Sequence, residues 1–438
     1  LKTPKRTSPA ARKPAPRKTR KGQAGAAAAV DPAQPSPPAP ARADAVPDKP
    51  AELHARPALP GFEPALCLIG ETSVGLWGRS LPQRTILQFA REGLTRLLDL
   101  DQAKAHNGPL ILVRADAVLD QPLISVLLKR PQFVLLSSDD GLPVAAQVRA
   151  ADLPRLLPVL AGEGAPPPGL LARTPADLDT HFWKALRKRE TPYALRVSEA
   201  NRRATEWRMF MGTYKGATDL VTKHVWPVPA FHATRFLAPR GVTPNMVTTV
   251  AAVLTALAFW LFWEGHFAPG LVAAWTMTFL DTVDGKLART TLTSSKWGDV
   301  FDHGIDLVHP PFWYWAWGMG LAAWNINWSA SAFWWVIGII LGGYVLQRVM
   351  EGIAIKWLGL EIHIWRPIDT FFRQITARRN PNLIILSLSL LVGRPDWGLI
   401  AVAAWTGLCL ILHGLQLLQA LAARKAAGGP LTSWMTRK

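Results

Sequence analysis

Asp281-Thr282-Val283-Asp284-Gly285-Lys286-Leu287-Ala288-Arg289, then eight residues to Gly298, then Asp302 and Asp306, is the stretch on which the reading of this chain turns. Asp281 and Asp284 are three apart, which puts them on one face of a helix. Asp302 and Asp306, four apart, share a face of the next helix. A short loop joins the two, so the four carboxylates can converge. Carboxylates at membrane depth are costly and take partners. Lys286 and Arg289 are the nearest cations in sequence and are too few to offset four acids. Closely spaced carboxylate oxygens suit hard divalent ions such as Mg²⁺ or Mn²⁺. Two such ions can clamp a diphosphate and stabilise attack and departure on phosphorus. Gly285, Ala288 and Gly298 are small and leave the helix backbone open to a nucleotide. Solvated boundary acids, or parts of an ion pathway, would account for one or two such residues but not for this ordered set of eight positions.

The surroundings of this stretch are those of a membrane protein. Apolar segments at about 244–263, 268–288, 300–324, 331–355, 381–393 and 397–422 predict six spanning helices. The fifth is short, with an alternative start within Ile368 to Ile375. Thr243-Pro244-Asn245 reads as a helix start, with Thr as N-cap and Pro at the first helical position. Lys and Arg gather before the first span (Arg235, Arg240), after the second (Arg289, Lys296), after the fourth (Lys356, Arg366, Arg373, Arg378, Arg379) and at the C-terminus. Glu264 to Pro269 and Asn325 to Ala330 hold none, which predicts both termini in the cytoplasm.

Upstream the pattern changes. Ala65 to Gly70, Pro109 to Val113 and Gln132 to Leu136 read as buried strands, and Thr85 to Leu98 has helical spacing. Alternation of the two predicts a soluble α/β domain over 61–180 with a mostly parallel sheet. Residues 181–243 read as a linker with juxtamembrane amphipathic helices on the bilayer surface. The predicted architecture is a six-helix transmembrane α-bundle over 244–425, preceded by the α/β domain and a disordered basic tail over 1–60, and followed by a cytoplasmic C-terminal tail over 426–438. The formal net charge is +18, and the first 21 residues hold nine Lys or Arg and no acid. That block either touches anionic headgroups or solubilises the chain. No aromatic or folded reader accompanies it, which argues against nucleic acid as a partner. Cys67 and Cys409 lie far apart in unlike regions and suggest neither a disulfide framework nor a metal site. No apolar segment of signal-peptide type follows the basic N-terminus.

The eight positions from Asp281 to Asp306 match the CDP-alcohol phosphotransferase signature, D-x2-D-G-x2-A-R-x8-G-x3-D-x3-D, at every fixed place. The resemblance covers about 225–425. It implies an integral-membrane, divalent-metal-dependent transferase, usually a homodimer, which takes a CDP-linked donor and a lipid or polar-alcohol acceptor and releases CMP. A bacterial inner membrane, with the site open to the cytoplasm, is the expected setting. Carried onto this sequence, Asp281, Asp284, Asp302 and Asp306 are metal ligands, for two ions. Asp306 is also the candidate general base. Asp284, Gly285, Ala288, Arg289 and Gly298 line the CDP site. Phe301-Asp302-His303-Gly304-Ile305-Asp306 resembles a run in choline and ethanolamine phosphotransferases, which makes His303 a second proton-transfer candidate with Asp299 one turn before it. A structural, neutral His303 is the other reading.

The α/β region resembles a degenerate sugar-phosphate nucleotidyltransferase in its loop Gly70 to Arg84 and in Val113 to Asp120. Arg79 and Arg84 are loose stand-ins for that family's phosphate-binding residues. Fused cytidylyltransferase and phosphotransferase halves occur in enzymes that make and use CDP-inositol. Tyr214 to Lys223, Thr243-Pro244-Asn245 and Arg379 to Leu383 are similar to that subgroup. Two donor classes compete. One moves a headgroup from a soluble CDP-alcohol to a lipid hydroxyl. The other moves a phosphatidyl group from CDP-diacylglycerol to a small polar alcohol such as inositol phosphate. The His303 run and the fused domain lean to the first. Arg348 and Glu351, three apart in the fourth span, are an intramembrane pair or a headgroup contact, and one of Arg373, Arg378 and Arg379 is a candidate for acceptor phosphate. A non-catalytic membrane scaffold is the rival from another class, and it predicts that Asp302→Asn is silent.

Overall fold

The computed structural model describes residues 63–178, 182–183 and 186–436. The expected basic tail over 1–60 lies outside them. The first elements are β1 (Ala65–Ile69), the hairpin β2 (Gly75–Leu76) and β3 (Arg79–Ser80), α1 (Leu81–Arg91), β4 (Leu97–Leu98), α2 (Leu100–Lys104), β5 (Leu110–Arg114), β6 (Ala117–Leu119) and α3 (Gln121–Lys129). β7 (Phe133–Leu136), β8 (Pro143–Val148), α4 (Leu153–Ala161), β9 (Leu171–Arg173), β10 (Phe182–Trp183), β11 (Lys188–Arg189) and β12 (Ala194–Arg196) complete this part. The main sheet has six strands in the order β4-β1-β5-β8-β7-β9.

This sheet is mostly parallel, as expected, with β8 alone reversed, since β7 also pairs in parallel with β9. β8 runs antiparallel to both β5 and β7, while β1 pairs in parallel with β4 and β5. The reason is the short connection between β7 and β8, which permits only an antiparallel return. β8 opens on a proline and reads Pro-Val-Ala-Ala-Gln-Val, without the apolar alternation that marks a strand. The likeness to nucleotidyltransferases finds no support in this geometry. Arg79 and Arg84 donate to main-chain carbonyls far along the chain, and Asp116 is held by Arg114 through two hydrogen bonds of 2.8 Å.

Three short helices follow: α5 (Arg202–Gly212), α6 (Leu220–His224) and α7 (Pro227–Leu237). The remaining helices are α8 (Pro244–Trp263), α9 (Phe267–Thr290), α10 (Lys296–Gly320), α11 (Ala330–Ile353), α12 (Pro367–Ile375), α13 (Arg379–Leu391) and α14 (Pro395–Ala427). α8 begins as its sequence predicts: Thr243 Oγ1 accepts from the Met246 amide at 3.3 Å, with Pro244 in the first turn.

The expected six-span bundle is not what the helices support. Among the described residues three are long and apolar enough to cross a membrane: Pro244–Trp263, Ala330–Leu358 and Pro395–Ala427. The others fail for identifiable reasons. α9 carries Asp281, Asp284, Lys286 and Arg289, and α10 carries Lys296, Asp299, Asp302 and Asp306. α13 has 13 residues, about 20 Å of helix where a bilayer core needs about 30 Å. The residues proposed as fifth-span alternatives form α12, a separate helix of nine residues. Three apolar helices of spanning length make the protein integral to a membrane.

α8, α9 and α10 pack around Phe262, Phe267, Trp313 and Trp317, and the Phe267 and Trp317 rings stack with centroids 4.2 Å apart. A second apolar core joins the α/β part to the helices: Val74, Leu76, Trp77 and Leu81 meet Phe210, Phe231, Val283 and Leu287. The β2–β3 hairpin reaches this core because Gly78 takes φ 75°, with an added Cβ falling 2.8 Å from the Ala238 carbonyl oxygen.

Candidate active site

α9 and α10 bring three of the four predicted acids together. Asp281, Asp302 and Asp306 each offer one carboxylate oxygen, and the three oxygens lie within 4.8 Å of one another. Like charges at that range repel by about 3–4 kcal/mol per pair at an effective dielectric of about 20. Asp284 stands beside the group rather than in it. Its side chain is buried, its Oδ2 accepts from Thr248 Oγ1 at 2.6 Å, and its Oδ1 is buried without a partner.

A protein cation already touches this centre, and it comes from neither signature helix. Arg379, at the first turn of α13, donates through Nη2 to Asp281 Oδ2 at 2.6 Å and through Nη1 to Asp306. The nearer cations in sequence turn elsewhere. Lys286 is buried with its Nζ 3.0 Å from the centroid of the Tyr214 ring, and it donates to the Thr213 carbonyl. Arg289 leans back over Gly285, where an added Cβ would meet Nη2 at 2.9 Å. The space at Gly298 is taken in the same way: an added Cβ would meet Asn245 Oδ1 at 2.9 Å. Gly285 and Ala288 line the cavity, and Gly298 does not.

His303 also lines the cavity, with its side chain 70% exposed. Its Nδ1 lies 2.8 Å from the Asp299 carbonyl oxygen and 3.8 Å from Asp302 Oδ2. Asp299 therefore holds the ring through its main chain, and an Nδ1–H tautomer leaves Nε2 free to accept a proton.

The cavity measures about 540 Å³. Its lining is also cationic, with Arg348, Arg373 and Arg378 beside the carboxylates Glu351 and Asp219. Arg348 Nη1 is 3.0 Å from Glu351 Oε2, and Glu351 Oε1 accepts from Arg378 and meets His363 Nε2 at 2.9 Å. The pair read from the sequence is thus part of a four-residue cluster. Arg373 Nη1 is buried without a hydrogen-bond partner. Burial, with Arg378 beside it, pushes the Arg373 guanidinium down to about 9 against the opposing pull of Asp219 and Glu351.

Thr248 and His363 escaped the sequence reading. A Thr one turn into an apolar helix and a His between helices carry no spacing signal. Arg379 was legible as a loop cation, as the start of a run similar to a subgroup and as a candidate for acceptor phosphate, but not as the partner of Asp281 and Asp306.

The fold and the site together define an integral-membrane protein with a cavity lined by carboxylates and arginines between helices. Residues 241–409 match the CDP-alcohol phosphatidyltransferase family, so the chain carries a CDP-alcohol phosphatidyltransferase domain. Over 71 residues it is 39% identical to the archaetidylinositol phosphate synthase of Pyrococcus horikoshii, a match that covers 16% of this chain and 37% of that protein. Over 221 residues it is 28% identical to the bifunctional IPC transferase and DIPP synthase of Rubrobacter xylanophilus, covering 49% of this chain and 44% of that protein. The chain thus spans less than half the length of these curated relatives. A crystal structure of phosphatidylinositol phosphate synthase from Mycobacterium tuberculosis, in complex with manganese and citrate, is similar at 19% identity and a TM-score of 0.33, covering 42% of this chain and 86% of that one.

Proposed function

We propose that this protein is a divalent-metal-dependent transferase that moves a phosphatidyl group from CDP-diacylglycerol to a small polar alcohol bearing a phosphate, with release of CMP. The observation that carries the choice of acceptor is the cationic wall. Arg348, Arg373 and Arg378 line the cavity with two carboxylates, Glu351 and Asp219, near them, an excess of cation that suits a phosphate monoester better than the uncharged hydroxyl of a lipid. The His303 run in the sequence favours headgroup transfer to a lipid hydroxyl, and the arginines outweigh it. The likeness to a protein named archaetidylinositol phosphate synthase supports the same preference.

The donor set fits a divalent ion. Three carboxylate oxygens converge, an Asp284 oxygen is buried and unsatisfied next to them, and Arg379 supplies only part of the opposing charge. Asp281, Asp302 and Asp306 would hold the ion, with Asp284 completing a site for a second. Bound there, such an ion neutralises a diphosphate and eases departure of CMP. Arg289 lies along the same wall and holds the donor diphosphate. The acceptor oxygen attacks the phosphorus distal to cytidine, the bond from that phosphorus to the CMP oxygen breaks, and the acceptor proton passes to Asp306 or to His303 Nε2. The basic residues Arg289, Arg373, Arg378 and Arg379 around the cavity support a cytoplasmic setting for it.

The test is a donor and acceptor panel. Purified protein with Mn²⁺ is given CDP-diacylglycerol and inositol phosphate, or CDP-choline and diacylglycerol, and CMP and lipid product are measured. Product from the first pair alone supports the proposal, and product from the second alone reverses it.

A further inference from the structure

α9 does not end on glycine. The Thr293 amide donates to the Ala288 carbonyl at 2.9 Å, while Leu292 takes the left-handed conformation (φ 57°) in the place glycine usually fills. A bulky residue keeps that conformation only where its surroundings over-determine it. Three arginines do so. Arg84 donates to the Thr290 carbonyl, Arg79 Nε to the Thr291 carbonyl at 3.0 Å, and Arg91 Nη2 to the Leu292 carbonyl at 2.7 Å. All three come from β3 and α1, 201 to 212 residues earlier in the chain. They satisfy carbonyls that the helix leaves open, and they put positive charge at the negative end of its dipole.

The turn fixed in this way lies between the two halves of the signature. On one side is Arg289. On the other is Ser295, whose Oγ starts α10 by accepting from the Gly298 amide at 3.0 Å. We propose that Arg79, Arg84 and Arg91 are positioning residues for the transferase centre. The α/β part is a clamp that fixes the α9–α10 turn, and with it the spacing of Asp281 on α9 from Asp302 on α10. The clamp's purpose rests on the transferase reading, while the clamp itself rests on the three carbonyl bonds. On this account the α/β part serves the reaction without a substrate site of its own.

Hydrogen exchange on the full chain in detergent micelles, with CMP release followed in parallel, tests it. Arg91 is the exposed member, so Arg91→Ala removes its bonds without opening the core. Amides of residues 290–299 are expected to exchange about tenfold faster in that variant, with α14 unchanged. The kcat for CMP release is expected to fall. Leu292→Gly accepts the left-handed turn unaided, so Arg91→Ala with Leu292→Gly is expected to recover slow exchange and kcat, a rescue that lost packing alone would not give. Unchanged exchange in the turn, in both Arg91→Ala and Arg79→Ala/Arg91→Ala, overturns the clamp, as does failure of Leu292→Gly to rescue. If the unaltered protein releases no CMP from any CDP-linked donor, the transferase reading falls, and the exchange result still decides the clamp.

Discussion

Arg379 Nη2 lies 2.6 Å from Asp281 Oδ2, a bond that ties the first turn of α13 to the carboxylate centre on α9. The same guanidinium donates to Asp306, so one residue of α13 bridges both signature helices. It acts as a counter-cation at a centre that would otherwise hold three mutually repelling acids.

Arg379→Gln is therefore expected to destabilise the metal-free protein by about 2 kcal/mol. That is below the roughly 3–5 kcal/mol of a fully buried pair, because Asp306 is 39% exposed. Mn²⁺ is expected to raise the melting temperature of this variant more than that of the unaltered protein, since the ion no longer competes with a guanidinium. Thermal melts with and without Mn²⁺ measure both effects. An equal or smaller Mn²⁺ shift would count against the counter-cation role.

Arg378→Ala is expected to raise KM for a phosphate-bearing acceptor by at least about tenfold, the loss of roughly one charge-assisted hydrogen bond. KM for the CDP-linked donor should hold steady, because Arg378 pairs with Glu351 and not with the carboxylates of the metal centre. Steady-state kinetics with each substrate varied in turn separates the two. An effect on the donor alone would place the cationic wall at the wrong substrate.

Thr248→Val leaves Asp284 Oδ2 without its 2.6 Å donor while keeping the side chain's shape. A buried carboxylate oxygen so stranded costs about 1–3 kcal/mol. The loss should shrink when Mn²⁺ is added, since an ion near Asp284 offsets the missing bond. Denaturant melts at two metal concentrations check it.

Gly78→Ala should destabilise the join between the α/β part and the helices by more than about 1 kcal/mol. The position takes φ 75°, and the new Cβ would sit 2.8 Å from main-chain oxygen, which cannot swing aside as a side chain could. Limited proteolysis between β3 and α8 would show the loosened join, and resistance equal to the unaltered protein would contradict it.

Local spacing made the carboxylate centre legible. Asp281, Asp302 and Asp306 are related by helix geometry that a sequence displays directly, and the Thr243-Pro244 start of α8 was equally plain. Long-range partners were not. Arg379 reaches Asp281 over 98 residues, and nothing in the run Arg379 to Leu383 points to that partner. The count of spans went astray because apolar runs were extended through charged helices and through the 13-residue α13. Arg79 and Arg84 looked like phosphate ligands because a loop of Gly and Arg reads the same whether its cations meet phosphate or helix carbonyls.

Equilibrium Mn²⁺ binding, followed by electron paramagnetic resonance on the purified full chain, tests the central claim most directly. The account predicts at least one bound ion per chain, lost in Asp281→Asn/Asp302→Asn together with CMP release, while that variant keeps its helical circular dichroism. Full Mn²⁺ binding by the folded double variant, or CMP release that survives in it, would contradict the account.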